Sequence, residues 1–189
     1  AGMVLTGCGP AAPATSGTPP VVGTGPTAAA TPLCTPESGG SATPCTQEQY
    51  EEMKKLDALY AEAEDVYRRF VAEDVKLLHS GGLAEGPVLD LIAGPMVDRY
   101  KARRQDQHDA KVTMTGDVSI AYVRRLPGYS YEGSDVTLSS CVDGSGMKGY
   151  GPSGNELGPG NVVIYNTYFK QVNEGLRVWW EKSQKAGSC

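Results

Sequence analysis

Seven side chains stand out for the chemistry they could do: Cys8, Cys34, Cys45, Cys141 and Cys189, with His79 and His108. A structural zinc site wants a Cys-x-x-Cys pair or histidines at short, regular spacing. Neither pattern occurs, so no metal is expected. GxSxG, HExxH and the phosphate loop are also missing. The run GSGMKGYGPSG has glycine and lysine, but neither the spacing nor the strand–turn–helix setting of a phosphate loop. No catalytic residue and no cofactor is assigned from motifs. What remains is thiol chemistry, and five cysteines are an odd number, so one is left over from any complete pairing.

Leu5-Thr6-Gly7-Cys8 resembles a bacterial lipobox, in which small residues give a peptidase access to the backbone before an acylated cysteine. The resemblance implies that Cys8 carries lipid, such as palmitate, and that residues 1–7 are the remnant of a lipoprotein signal peptide. Residues 8–45 are rich in Pro, Thr, Ala and Gly, and Glu37 is the only charged side chain in residues 1–44. Such a stretch buries too little apolar surface to offset the entropy of ordering it, so a disordered tether is expected. The membrane is then the first partner, reached through the lipidated cysteine, since more than one acyl chain holds a protein stably. The expected location is the extracytoplasmic face of a bacterial cell membrane. Disulfides persist there. Setting Cys8 aside leaves four cysteines and three connectivities. Compactness favours Cys34 with Cys45, closing a short loop, and Cys141 with Cys189, pinning the C-terminal end to a strand.

The elements follow from periodicity. Thr46 is a fair N-cap with Gln49 three residues on. Met53, Leu56, Tyr60, Ala63, Tyr67 and Phe70 then fall at spacings of three and four, one stripe of a helix that Gly81 and Gly82 should end. Residues 87–94 read as a short helix and residues 95–110 as a third. Its Lys101, Arg103 and Arg104 form a small basic cluster, read as a solvated face. Beyond residue 111 the pattern alternates, with Val118, Ile120 and Tyr122 on one stripe and VVIYNTYF the strongest strand. Short connections make these strands antiparallel. The segment 144–160 is glycine-rich and is expected to be a mobile hairpin. The net charge of -5 argues against a nucleic-acid partner.

The globular domain is thus placed at residues 46–189, with an α+β fold: helices first, then an antiparallel sheet. This order resembles the nuclear-transport-factor-2-like (cystatin-like cone) fold of ketosteroid isomerases and polyketide cyclases. DVTLSSCVDGS and RVWWEK resemble exported lipoproteins of actinobacterial or actinobacteriophage type that carry such a domain on a tether. The resemblance implies a strongly curved, cone-shaped sheet with helices packed against it. In enzymes of that fold, acidic residues in the mouth shuttle protons. The candidates it points to are Asp143, Asp98, Asp90 and Asp135, with Tyr122, Tyr165 and Tyr168 as pocket residues. Asp143 equally suits a turn before Gly144, and nothing pairs it with a histidine. The preferred function is therefore a membrane-anchored extracytoplasmic binding or interaction module. Its expected partner is an envelope protein or cell-wall polymer met through the 144–160 rim. For a prophage gene, the resemblance adds a protective role. The alternative is a small exported isomerase, lyase or cyclase with an acidic residue in the pocket.

Overall fold

A computed structural model describes residues 31–189 except Ser38 and Glu174. Cys8 and the LTGC motif lie outside the described residues. The chain opens with two short strands, β1 (Leu33–Cys34) and β2 (Thr43–Pro44), paired antiparallel and closed by the Cys34–Cys45 disulfide. This hairpin, from the stretch expected as tether, is attached to the first helix. The Thr35 amide donates to the Met53 sulfur at 3.2 Å, and the Tyr60 hydroxyl donates to Glu37 at 2.6 Å.

Helix α1 (Gln47–Ser80) begins as its sequence requires. The Gln49 amide donates to the Thr46 hydroxyl, and the Thr46 amide to the Gln49 side chain, satisfying two amides that have no partner inside the helix. Gly81 ends it at φ 63°. Its buried stripe is Tyr60, Ala63, Val66, Tyr67 and Phe70. A 3₁₀ helix (Gly86–Leu91) and α2 (Pro95–Asp109) follow. Phe70 meets Tyr100 of α2 edge to face, with centroids 5.7 Å apart. Among the described residues no helix is long and apolar enough to cross a membrane.

Seven strands complete the domain: β3 (Thr113–Thr115), β4 (Ser119–Arg125), β5 (Val136–Asp143), β6 (Lys148–Tyr150), β7 (Glu156–Pro159), β8 (Val162–Val172) and β9 (Gly175–Ala186). The largest sheet runs β4-β5-β8-β9, all antiparallel, and buries one face against the helices. A second sheet runs β3-β6-β7. The Cys141–Cys189 disulfide ties the C-terminal residue to β5.

The α+β content holds, but the strongly curved, cone-shaped sheet does not. The strands belong to three separate flat sheets, none closed or curled into a cone, which overturns the nuclear-transport-factor-2-like assignment. The physical reason lies in residues 144–160. After β5 the Gly144 amide donates to the Asn161 carbonyl, and the Gly160 amide to the Met147 carbonyl, pinching the segment off the main sheet. Its strands form a separate sheet instead, in which β6 pairs with β3 and β7 with β6. The pinch needs glycine, because a Cβ on Gly160 would collide with the Gly144 carbonyl oxygen. The base of the hairpin is packed, with Met147 and Gly149 buried, while residues 152–157 are exposed.

Candidate functional site

Between α1, the inner face of the main sheet and the β3-β6-β7 sheet lies a pocket of about 230 Å³. Its walls are apolar. Phe70, Val71, Val75 and Leu78 come from α1, Val142 and Val163 from the main sheet, and Met114 and Met147 from the second sheet and its approach. Its polar lining residues are Asp74, Arg103, Asn161, Tyr165 and Glu181, with the Tyr67 ring beside them.

Glu181 comes from β9 and is 6% exposed. Its carboxyl accepts the Thr167 hydroxyl at 3.2 Å across the β8–β9 pair. The Arg99 guanidinium donates to the backbone carbonyl of the same residue at 3.0 Å. Burial pushes the Glu181 carboxyl up to about 7, and the Asp74 carboxylate pushes the same way, against the pull of Arg103 and the Thr167 hydrogen bond. Burial likewise pushes the Tyr165 phenol up to about 12.

Asp74 is held by three donors. Tyr100 donates its hydroxyl at 2.6 Å, Arg104 lies at 2.9 Å and Arg103 at 3.5 Å. Arg104 is 2% exposed, so it is not part of a solvated face as expected from the basic cluster. It also donates to Gln107 at 2.7 Å. Arg103 keeps 45% of its side chain exposed and lines both the pocket and the wider cleft beside it. Tyr67 accepts the Ser140 hydroxyl at 2.6 Å, which fixes its ring against the sheet.

Of the residues expected to form a pocket, Tyr165 does. Tyr122 does not: it sits on β4 under the Arg124 guanidinium at 4.0 Å, opposite Cys141 on the outer face. Tyr168 is also on the outer face, three residues from Tyr165 on a regular strand, and packs on Tyr131. Asp143 is the last residue of β5, where it caps the turn that follows. Its carboxylate accepts the Ser145 amide at 2.9 Å, and hydrogen bonds from Ser145 hold it below the usual carboxylate range. Its neighbours Val142 and Gly144 line the pocket, but Asp143 does not. Asp90 and Asp98 are exposed, and Asp135 accepts the Gln171 amide. His79 and His108 contact the carbonyls of Gly116 and Gly81. Among the described residues no group of three His, Cys, Asp or Glu side chains could hold a metal ion.

The sequence reading missed Glu181, Asp74 and Arg103. A glutamate inside RVWWEK was the available signal, but alternation places it outside the sheet. The β8–β9 register breaks between Tyr168 and Phe169: Phe169 pairs with Val178 and Tyr168 with Trp180, so Trp179 has no partner. This extra residue turns Trp180 outward, where it stacks on Tyr131 at 5.2 Å, and turns Glu181 inward. A second bulge, at Ala121, turns Tyr122 outward in the same way.

The arrangement can shelter a small apolar group and meet a polar head with a carboxyl, a phenol and a guanidinium. No protein-family model and no curated protein matches this chain. The expected kinship with actinobacterial or phage lipoproteins, read from DVTLSSCVDGS and RVWWEK, finds no match and is set aside together with the cone fold.

Proposed function

We propose that this chain is a lipid-anchored extracytoplasmic binding module whose domain takes a small, mostly apolar molecule into the pocket under α1. One observation carries the binding reading: an apolar-walled pocket of about 230 Å³ on which Glu181, Tyr165 and Arg103 converge. A concave apolar site with a few convergent polar groups is the usual form of a small-molecule site. The anchoring reading rests on the lipobox-like LTGC at Cys8. The two disulfides suit an oxidising compartment.

Methyl-labelled methionine reports on the pocket directly, because Met114 and Met147 line it and Met53 and Met96 do not. Titrating the full chain with 1-octanol should shift the Met114 and Met147 methyl signals selectively. Signals unmoved by 1-octanol and by its charged analogues octanoate and octylammonium, or equal shifts at all four of these methionines, would end the binding reading. For anchoring, expression in a bacterial host with a fatty-acid analogue should label the chain, and Cys8→Ser should abolish the label.

A second reading has its own support. A carboxyl pushed up to about 7 in an apolar pocket is matched to proton transfer at neutral pH. In that reading the domain is a small isomerase, lyase or cyclase with Glu181 as its acid–base group, rather than Asp143. Turnover of a small ketone that disappears in Glu181→Gln, with the melting temperature retained, would favour it over simple binding.

A further inference from the structure

We infer that the pocket's ligand is a small amphiphilic monocarboxylate, its carboxylate on Arg103 at the mouth and its tail in the apolar interior, and that binding draws a proton onto Glu181. The inference rests on the binding reading above and names the ligand class.

Charge accounting around the mouth selects the head group. Asp74 and Arg104 form a close pair at 2.9 Å, with Arg104 only 2% exposed, so together they present little net charge. Arg99 donates to the Glu181 backbone carbonyl. Arg103 is left at 3.5 Å from Asp74 and half exposed, a cation with donors to spare. Guanidinium binds carboxylate with two parallel hydrogen bonds, which a hydroxyl or an amine cannot match. With Asp74 neutralised by Arg104, an ammonium head would meet the Arg103 guanidinium at the mouth and be repelled by it.

Glu181 responds because of what faces it. From α1 these groups are Tyr67 and Asp74, from α2 Arg99 and Arg103, and from β8 Tyr165 and Thr167. Arg103 is the foremost cation favouring its ionised form, while burial and Asp74 oppose it. A ligand carboxylate on Arg103 engages that cation and adds an anion nearby. Both changes favour neutral Glu181, so a proton passes from buffer to its carboxylate while the ligand stays anionic. The size of the tail follows from volume. At about 30 Å³ for each water-sized group, a pocket of about 230 Å³ holds roughly eight non-hydrogen atoms.

Three probes with one tail separate the alternatives: octanoate, 1-octanol and octylammonium. Each is titrated calorimetrically into the full chain at pH 7 in two buffers of unlike ionisation enthalpy. Octanoate is expected to bind at least about tenfold tighter than octanol and to take up about half a proton. Octylammonium is expected to bind most weakly. Arg103→Gln, at an exposed position, should lower octanoate affinity at least about tenfold relative to that for octanol, removing the preference for octanoate. Glu181→Gln, fixed in the neutral form, should bind octanoate at least as tightly as the wild type and abolish proton uptake. If that variant fails to fold, the buffer dependence of the wild type and of Arg103→Gln carries the test. Octanol binding with octanoate no tighter, octylammonium binding tightest, or octanoate binding without proton uptake would overturn the inference while leaving the pocket a binding site. If none of the three binds, the binding reading itself fails.

Discussion

Across the β8–β9 pair the Thr167 hydroxyl donates to the Glu181 carboxyl at 3.2 Å, on the face that α1 covers. Glu181 reaches that face because Trp179 is the extra residue of a bulge. The strand thus places a carboxyl where alternation would have put Trp180, at the cost of burying an ionisable group beside Asp74.

That burial sets a pH dependence. In the unfolded chain Glu181 titrates near its ordinary value of 4.5, and in the folded protein near 7. Between those values the folded state binds more protons, so stability is fully present below pH 4.5 and falls as pH rises to about 7. The loss is on the order of 3 kcal/mol. Urea midpoints from pH 4.5 to 8 should show this decline, and Glu181→Gln should flatten it and exceed the wild type at pH 8.

Phe70 is 3% exposed, between α2 and the pocket. Phe70→Ala should cost about 3–5 kcal/mol. Glu51→Ala, on the solvated side of α1, should leave the denaturant midpoint nearly unchanged. Equal midpoints for the two would contradict the packing of α1.

The two disulfides close loops of unlike length, with separations of 11 and 48 residues. Chain entropy then assigns about 3 kcal/mol to Cys34–Cys45 and about 4 kcal/mol to Cys141–Cys189. Paired Cys→Ser variants, compared under non-reducing conditions, should rank in that order.

Gly94 caps α2 at φ 55°, and a Cβ there would run into the Trp179 ring. Gly94→Ala combines that clash with backbone strain and should cost at least about 1–3 kcal/mol. Trp179 should also leave its place at the bulge, changing the tryptophan fluorescence. An unchanged spectrum with unchanged stability would show that the bulge does not depend on Gly94.

Local signals in the sequence determined much of the frame. Thr46, Gln49 and Gly81 bound α1 because cap chemistry involves only a few neighbouring residues. The stripe from Tyr60 to Phe70 was legible because a helix repeats regularly, and the strands from Val136 and Val162 because a strand alternates. Compactness alone favoured Cys34–Cys45 and Cys141–Cys189. Only the tertiary structure decided the sheets and the site. Whether residues 144–160 extend one sheet or leave for another depends on close backbone contacts such as that of Gly160 with Gly144, which composition does not reveal. The site depends on two bulges. One unpaired residue in a strand exchanges its faces from that point on, so Tyr122 points away from the pocket and Glu181 points into it. Asp74 and Arg103 become site residues only because α1 and α2 both pack against β9, a juxtaposition of distant segments that no local spacing encodes.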